Sequence, residues 1–303
     1  MRLVSILFPG QEPQNISTLS YFINKHSIIK NTFDESSEYI GCNLRKLIQK
    51  SSDTMINKSK YSKLIMLTLS ISIYRLWKNN NKRDLLILAG HSLGEYSALV
   101  CSESLKFQDA IKLVILRDKF MKKCMGKKKG AMHAIIGLSE LDIQKILNNI
   151  KNSENVSIAC INTKYQIVIS GEESIVFKIS NICKKSGAKK IFRLSITPPS
   201  HCTLMKKASK KLSEVLNTIP FKKPIFPVIN NVDAQCETSE LNIKNALSRQ
   251  LFCPVKWMDC IIYLSKKTSI FFEAGLNNTL INLNKFIIKT PSTSLNIKTN
   301  IIP

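Results

Sequence analysis

The chain has 303 residues, 44% of them hydrophobic, which suffices for a full α/β core, sits at the upper edge of one domain or a domain with an insertion, and argues against a disordered chain. Its formal charge of +24 admits nucleic acid, an acidic protein or a phosphorylated cofactor as partner without choosing among them. The lysines run along the whole length, so most of that charge reads as compositional drift, with an acidic partner using part of it.

From Met1 to Gly10 the apolar stretch is too short for a secretory signal, and Pro9-Gly10 reads as the turn that ends a buried first strand. Residues 59–78 predict a helix with Leu64, Leu67, Ile71 and Tyr74 on one face, ending before an Asn79-Asn80-Asn81 turn. Interrupted by Thr68, Ser70 and Ser72, it is too short and too polar to span a membrane, so a cytoplasmic protein without membrane contact is expected. A strand-like run, Leu85 to Ala89, then passes through Gly90-His91-Ser92-Leu93-Gly94 into helical Tyr96 to Val100. Phe107 to Lys123 follows as a helix with Arg117 and Met121 at i and i+4.

Between Gly130 and Ile196 the pattern changes. It predicts strand 132–138, a helix capped by Ser139, strand 156–161, strand 166–170, a helix that stops at Gly187, and strand 190–196. The order βαββαβ is that of a ferredoxin-like unit. Residues 129–196 are therefore read as a small subdomain inserted into a large α/β subdomain formed by 1–128 and 197–303. Beyond it come helix 203–219, a strand-like 225–228, helix 243–251, a helix ending near Lys266, and a last clear strand, 269–273. Nine scattered cysteines, odd in number and without a C-x-x-C pair, fit reduced thiols and not a disulfide framework or zinc site; no metal and no cofactor is expected.

Gly-x-Ser-x-Gly between a strand and a helix has the form of a nucleophile elbow, in which the sharp turn leaves no room for side chains beside the serine. Ser92 is the candidate nucleophile, placed where backbone N–H groups, that of Leu93 among them, stabilise an oxyanion. The competing reading is a glycine-flanked surface turn. A serine nucleophile needs a base, and the sequence holds four histidines. His91 lies inside the turn itself, His133 in a predicted strand and His26 in a polar stretch. His201, in Thr197-Pro198-Pro199-Ser200-His201-Cys202 just before a helix, is the best placed, although capping or packing explains a lone histidine there equally well.

Phe8-Pro9-Gly10-Gln11, Gly90 to Leu99, Arg117 with Met121, Gly130-Ala131-Met132, Pro199-Ser200-His201-Cys202, Asn230-Asn231-Val232-Asp233 and Arg249-Gln250-Leu251 together resemble the malonyl-CoA:acyl carrier protein transacylases of bacterial fatty acid synthesis, in order and almost end to end. The resemblance implies a hydrolase-like parallel-sheet core with an inserted ferredoxin-like subdomain. It implies a ping-pong transfer in which Ser92, activated by His201, takes malonyl from malonyl-CoA and passes it to the phosphopantetheine thiol of an acidic acyl carrier protein. It further implies that the main-chain carbonyl of Gln250 orients His201 in place of a carboxylate, and that the amides of Gln11 and Leu93 form the oxyanion hole. Arg117 corresponds to the carboxylate-binding arginine, a role its planar fork suits better than a lysine would; without the resemblance a solvated helix face would be preferred. Met121 and Asn162 are read as further substrate contacts, and a monomer is expected.

The chain departs from the family pattern in three places. Where the family reads Gly-Gln-Gly-Ser-Gln, this chain has Gly10-Gln11-Glu12-Pro13-Gln14. Glu12 brings a negative charge beside the oxyanion position, expected to lower activity unless the side chain points to solvent or is stabilised by a helix N-terminus. Lys63 replaces a glutamine and either aids an anionic substrate or reaches solvent. The family's late Gly-Pro-Gly turn reads Gly275-Leu276-Asn277-Asn278 here, where asparagines can accept the left-handed backbone that glycine tolerates. A serine hydrolase or thioesterase using the same elbow, a degenerate carrier-protein-binding module and a basic nucleic-acid binder remain the alternatives; no localised basic motif with interleaved aromatics favours the last.

Overall fold

The computed structural model describes residues 3–58, 60–80, 85–150 and 153–295. The chain opens with β1 (Val4–Phe8), then α1 (Ile16–Lys25), α2 (Ser27–Ile40), α3 (Leu44–Gln49), α4 (Asp53–Lys58) and α5 (Ser62–Asn80). Next come β2 (Leu85–Gly90), α6 (Gly94–Cys101) and α7 (Phe107–Met125). The inserted unit holds β3 (Gly130–Ile136), α8 (Glu140–Asn148), β4 (Val156–Thr163), β5 (Gln166–Glu172), α9 (Glu173–Lys185) and β6 (Lys190–Arg193). The chain returns through α10 (Lys206–Thr218), β7 (Val228–Ile229), β8 (Cys236–Glu237), α11 (Glu240–Arg249) and α12 (Trp257–Ser265). It closes with β9 (Ile270–Glu273), α13 (Thr279–Asn284) and β10 (Ser292–Ser294).

Among the described residues two sheets form. The larger has the order β10-β9-β1-β2-β7-β8 and is parallel except for the short β7–β8 pair. Its inner strands are apolar on both faces, as strands covered by helices must be; Val4, Ile6, Leu7 and Phe8 of β1 are all fully buried. The chain leaves β1 toward β2 and leaves β9 toward β10, so the exits of these neighbouring strands diverge and a crevice opens at their carboxyl ends.

The smaller sheet has the order β4-β5-β3-β6 with antiparallel pairs throughout, which is the ferredoxin-like arrangement expected from the βαββαβ pattern. Period-two alternation splits its side chains. Ala131, Ile135, Ile167 and Ile169 pack with Ile143, Leu147, Val176 and Ile179 of α8 and α9, while Met132, Ala134 and Val168 turn toward the large sheet. A register shift between Ile158 and Cys160 in β4 brings both Ala159 and Cys160 to that inner face.

Several expectations change. Helix α5 is buried on nearly all sides between Leu64 and Trp77 and not along one stripe, because α2, α6 and α7 all pack on it. It also continues through Asn79 and Asn80, and Asn81 lies outside the described residues. The segment 225–228 pairs only at Val228–Ile229: Pro227 has no N–H to donate, and Ile225 is exposed. Thr203–Met205 forms a single tight turn before α10 begins. Helices α1 to α4 and α13 and strands β8 and β10 have no counterpart in the sequence pattern.

Candidate active site

The loops after β1 and β2 meet because the strands are in parallel register, with Phe8 opposite Gly90. A Cβ on Gly90 would fall 1.9 Å from the carbonyl carbon of Gly94, and one on Gly94 2.0 Å from the carbonyl oxygen of Phe8. Both contacts are far inside van der Waals range, so only glycine fits either side of the turn. Ser92 between them has φ 52°, a left-handed conformation that costs a non-glycine residue on the order of 1–3 kcal/mol and persists only where the surroundings enforce it.

Three side chains supply that enforcement. The Ser92 N–H donates to Asn231 Oδ1 at 2.7 Å, and Asn231 Nδ2 donates to the Gly90 carbonyl at 2.7 Å. Gln250 Nε2 donates to the Ser92 carbonyl at 3.1 Å and to Glu95 Oε2 at 2.8 Å, and Glu95 Oε2 also accepts from the Asn231 N–H at 3.0 Å. Glu95 is buried in this cluster, and burial pushes its carboxyl up to about 7 against the pull of the Gln250 and Asn231 hydrogen bonds. Asn231 was noticed in the sequence only as part of a motif. Its role depends on Gly90, 141 positions away, and no local pattern reports it.

His201 Nε2 lies 2.7 Å from Ser92 Oγ, and its Nδ1 lies 2.6 Å from the carbonyl oxygen of Gln250. A carbonyl only accepts, so Nδ1 carries the proton and Nε2 is left as acceptor for the serine hydroxyl. The His201 N–H donates to the Leu251 carbonyl at 2.9 Å and its φ is 60°, so the base, like the serine, sits in a left-handed conformation. Burial and then the Arg117 charge push the imidazole down to about 3, which keeps the ring neutral at rest. Of the other histidines, His91 Nε2 meets Asn162 Oδ1 at 3.0 Å, and His133 Nδ1 meets Ser180 Oγ at 2.8 Å.

Ser92 and His201 open into a cavity of about 350 Å3, walled on the opposite side by Met132, Ala134 and Cys160 of the small sheet. Arg117 lines it, is only 3% exposed, and has its Nε and Nη2 buried without a hydrogen-bond partner among the described residues. The adjacent carboxylate does not neutralise it, because Asp118 is paired with Lys63 and, at 2.6 Å, with Lys122. Lys63 thus lines the cavity as half of a buried ion pair and does not reach solvent. Gln11, Leu93 and Asn162 also line it, and the Gln11 and Leu93 amides have no acceptor among the described residues.

Met121 does not belong to this set. One helical turn, about 6 Å, separates it from Arg117, and it is fully buried in the main core and off the cavity wall. Glu12 lines the cavity and does not point to bulk solvent; its Oε2 accepts from Thr279 Oγ1 at 2.5 Å, and burial raises its carboxyl above the usual range. Asn278 has φ −106° and so does not use the left-handed conformation open to asparagine, while Asn277 Nδ2 holds the Pro13 carbonyl at 3.1 Å.

A parallel sheet with a serine elbow, a ferredoxin-like insert and a histidine held by a carbonyl define an acyltransferase class, and residues 29–265 match the acyl transferase domain. The chain is 50% identical over 300 residues to the malonyl CoA-acyl carrier protein transacylase of Buchnera aphidicola subsp. Baizongia pistaciae, spanning 98% of this chain and 96% of the relative. It is 38% identical over 295 residues to that of Escherichia coli K12, spanning 97% and 96%. Among solved structures, a malonyl-transacylase in complex with its type II PKS acyl-carrier protein superposes with a TM-score of 0.94 at 36% identity, over 100% of this chain and 98% of that one. An acyl carrier protein S-malonyltransferase from Vibrio cholerae gives 0.91 at 37%, over 98% and 97%. The chain belongs to the malonyl CoA-acyl carrier protein transacylases of the acyl transferase domain family.

Proposed function

We propose that this chain transfers the malonyl group of malonyl-CoA to the phosphopantetheine thiol of acyl carrier protein through a malonyl ester on Ser92, feeding fatty acid chain elongation. The observation that carries the reading is the buried Arg117 guanidinium, two of whose nitrogens lack partners among the described residues, in the same cavity as the Ser92–His201 pair. A guanidinium left unpaired in a buried site is costly, and a substrate carboxylate held in two parallel hydrogen bonds removes the cost. Malonyl supplies that carboxylate and acetyl does not.

His201 Nε2 takes the Ser92 proton as Oγ bonds to the thioester carbonyl carbon. The amides of Leu93 and Gln11 hold the developing oxyanion, and Gln250 keeps the imidazolium oriented through Nδ1. Collapse breaks the carbon–sulfur bond, and His201 returns the proton to the departing CoA thiolate. The second half runs the same steps with the carrier thiol as nucleophile and Ser92 as leaving group. Asn162 holds His91 at the cavity wall and lies within reach of the substrate.

No described helix is long and apolar enough to cross a membrane. A cytoplasmic monomer meeting an acidic carrier protein on its basic surface completes the proposal. The test is intact-mass analysis after incubation with labelled malonyl-CoA, before and after adding holo acyl carrier protein. A single adduct that moves to the carrier, absent from Ser92→Ala, is expected; an adduct that persists in Ser92→Ala, or one released to water as fast as to the carrier, overturns it.

A further inference from the structure

Glu12 is a carboxylate inserted into the cavity wall next to Gln11, and its two oxygens are treated differently. Oε2 accepts the Thr279 hydroxyl proton at 2.5 Å, while Oε1 is shielded from solvent and has no donor among the described residues. Thr279 has one hydroxyl proton to give. The bond therefore fixes the carboxyl while leaving Oε1 open, and a buried acceptor without a donor is costly unless one arrives with a ligand.

Position narrows the identity of that donor. Glu12 stands where the loops after β1 and β9 meet, with Asn277 Nδ2 on the Pro13 carbonyl and Pro9 packed against Gly275. On the cavity wall Glu12 follows Gln11 and stands against Thr279 at the start of α13, while Arg117 comes from α7. With the Gln11 amide at the thioester carbonyl oxygen, Glu12 stands at the thioester end of the bound acyl group and not at the malonyl carboxylate. A malonyl thioester with its carboxylate on Arg117 and its carbonyl at Ser92 sends its thiol arm toward that end. Pantetheine carries secondary amides along this arm, each with an N–H to donate.

We propose that Glu12 Oε1 accepts a hydrogen bond from an amide N–H of the pantetheine arm, making Glu12 a positioning residue for the arm of both CoA and carrier protein. This rests on the malonyl-transfer reading. It turns the replacement of the family's glycine from a charge set against the reaction into a contact that the substrate completes.

The test measures Ser92 acylation by mass spectrometry with malonyl thioesters of CoA, of N-acetylcysteamine, which keeps one amide, and of propanethiol, which has none. In Glu12→Ala the half-saturating concentration of malonyl-CoA should rise about five- to tenfold, with the rate at saturation falling less, as expected for loss of one ordinary hydrogen bond. Glu12→Gln keeps a side-chain carbonyl and should stay within about twofold of wild type. With the propanethiol ester, wild type and Glu12→Ala should coincide. The comparison is made across thioesters within each variant, so loss of folded protein cancels. An equal shift for all three thioesters, or a Glu12→Gln variant as impaired as Glu12→Ala, overturns the role of Glu12 while leaving malonyl transfer intact. Failure of wild type to form any Ser92 adduct overturns both.

Discussion

The two sides of the cavity are built on opposite principles. On the elbow side the backbone of Ser92 is bonded at both its N–H and its carbonyl, to Asn231 and Gln250, and His201 is bonded at both ring nitrogens. On the side that meets the acyl group and its arm, Arg117 Nε and Nη2 and Glu12 Oε1 are buried without partners among the described residues. These atoms of Ser92 and His201 are satisfied within the chain, whereas those of Arg117 and Glu12 wait for the substrate. The left-handed backbones of Ser92 and His201 fit this division, since their strain persists only under dense bracing.

The sharpest way to break the comparison is Arg117→Ala. Removing a recognition group should lower kcat/KM for malonyl-CoA by about two to three orders of magnitude and abolish the preference over acetyl-CoA. It should cost little stability, because an unpaired buried charge is itself unfavourable. Arg117→Met, which keeps the volume, should melt at or above the wild-type temperature. Steady-state kinetics on both thioesters together with thermal melts check this, and a large loss of stability in Arg117→Met would place Arg117 on the braced side.

Asn231→Ala probes the other side. It strands the Ser92 N–H and the Gly90 carbonyl, so a loss of about 2–4 kcal/mol in urea unfolding is expected, alongside slower Ser92 acylation. If acylation fell with no change in unfolding, the bracing would be catalytic positioning alone and not part of the fold.

The same division explains how much was legible in the sequence. Ser92 was readable because steric crowding at Gly90 and Gly94 writes itself into residue type. His201 could be singled out by elimination, but Gln250 was reached only by family resemblance, since its Nδ1 contact is a main-chain carbonyl and any residue carries one. Lys63 stayed ambiguous because its partner Asp118 lies 55 positions on. Met121 lies in the core and off the cavity wall, because i, i+4 spacing fixes the helix face but not which turn reaches the cavity. Strand β10, Ser292–Ser294, has no apolar alternation to announce it, whereas the inserted sheet was readable almost strand by strand because alternate residues serve two different cores.

A smaller effect tests what supports the recognition side. Glu273, at the end of β9, is fully buried and accepts the Leu280 N–H at 3.0 Å and the Ile281 N–H at 3.0 Å, holding the start of α13, from which Thr279 reaches Glu12. Burial pushes its carboxyl up to about 8, so between the ordinary value of 4.5 and that figure the folded chain binds more protons than the unfolded one. Stability from this group is therefore lost as pH rises through that range, by at most about 1.4 kcal/mol per pH unit. Glu95, raised to about 7, acts in the same direction. His201, lowered to about 3, acts in the opposite one, costing stability as pH falls below 6.5. Glu273→Gln has no carboxyl to ionise, so its urea-unfolding free energy should fall less steeply than that of wild type between pH 6 and pH 8 while the acid-side loss stays the same. Parallel curves across that interval would mean that the amide hydrogen bonds outweigh burial and Glu273 is ionised throughout. In that case the start of α13 would be held by a fixed charge, and the Glu12 carboxyl beside it would feel that charge whenever the arm is bound.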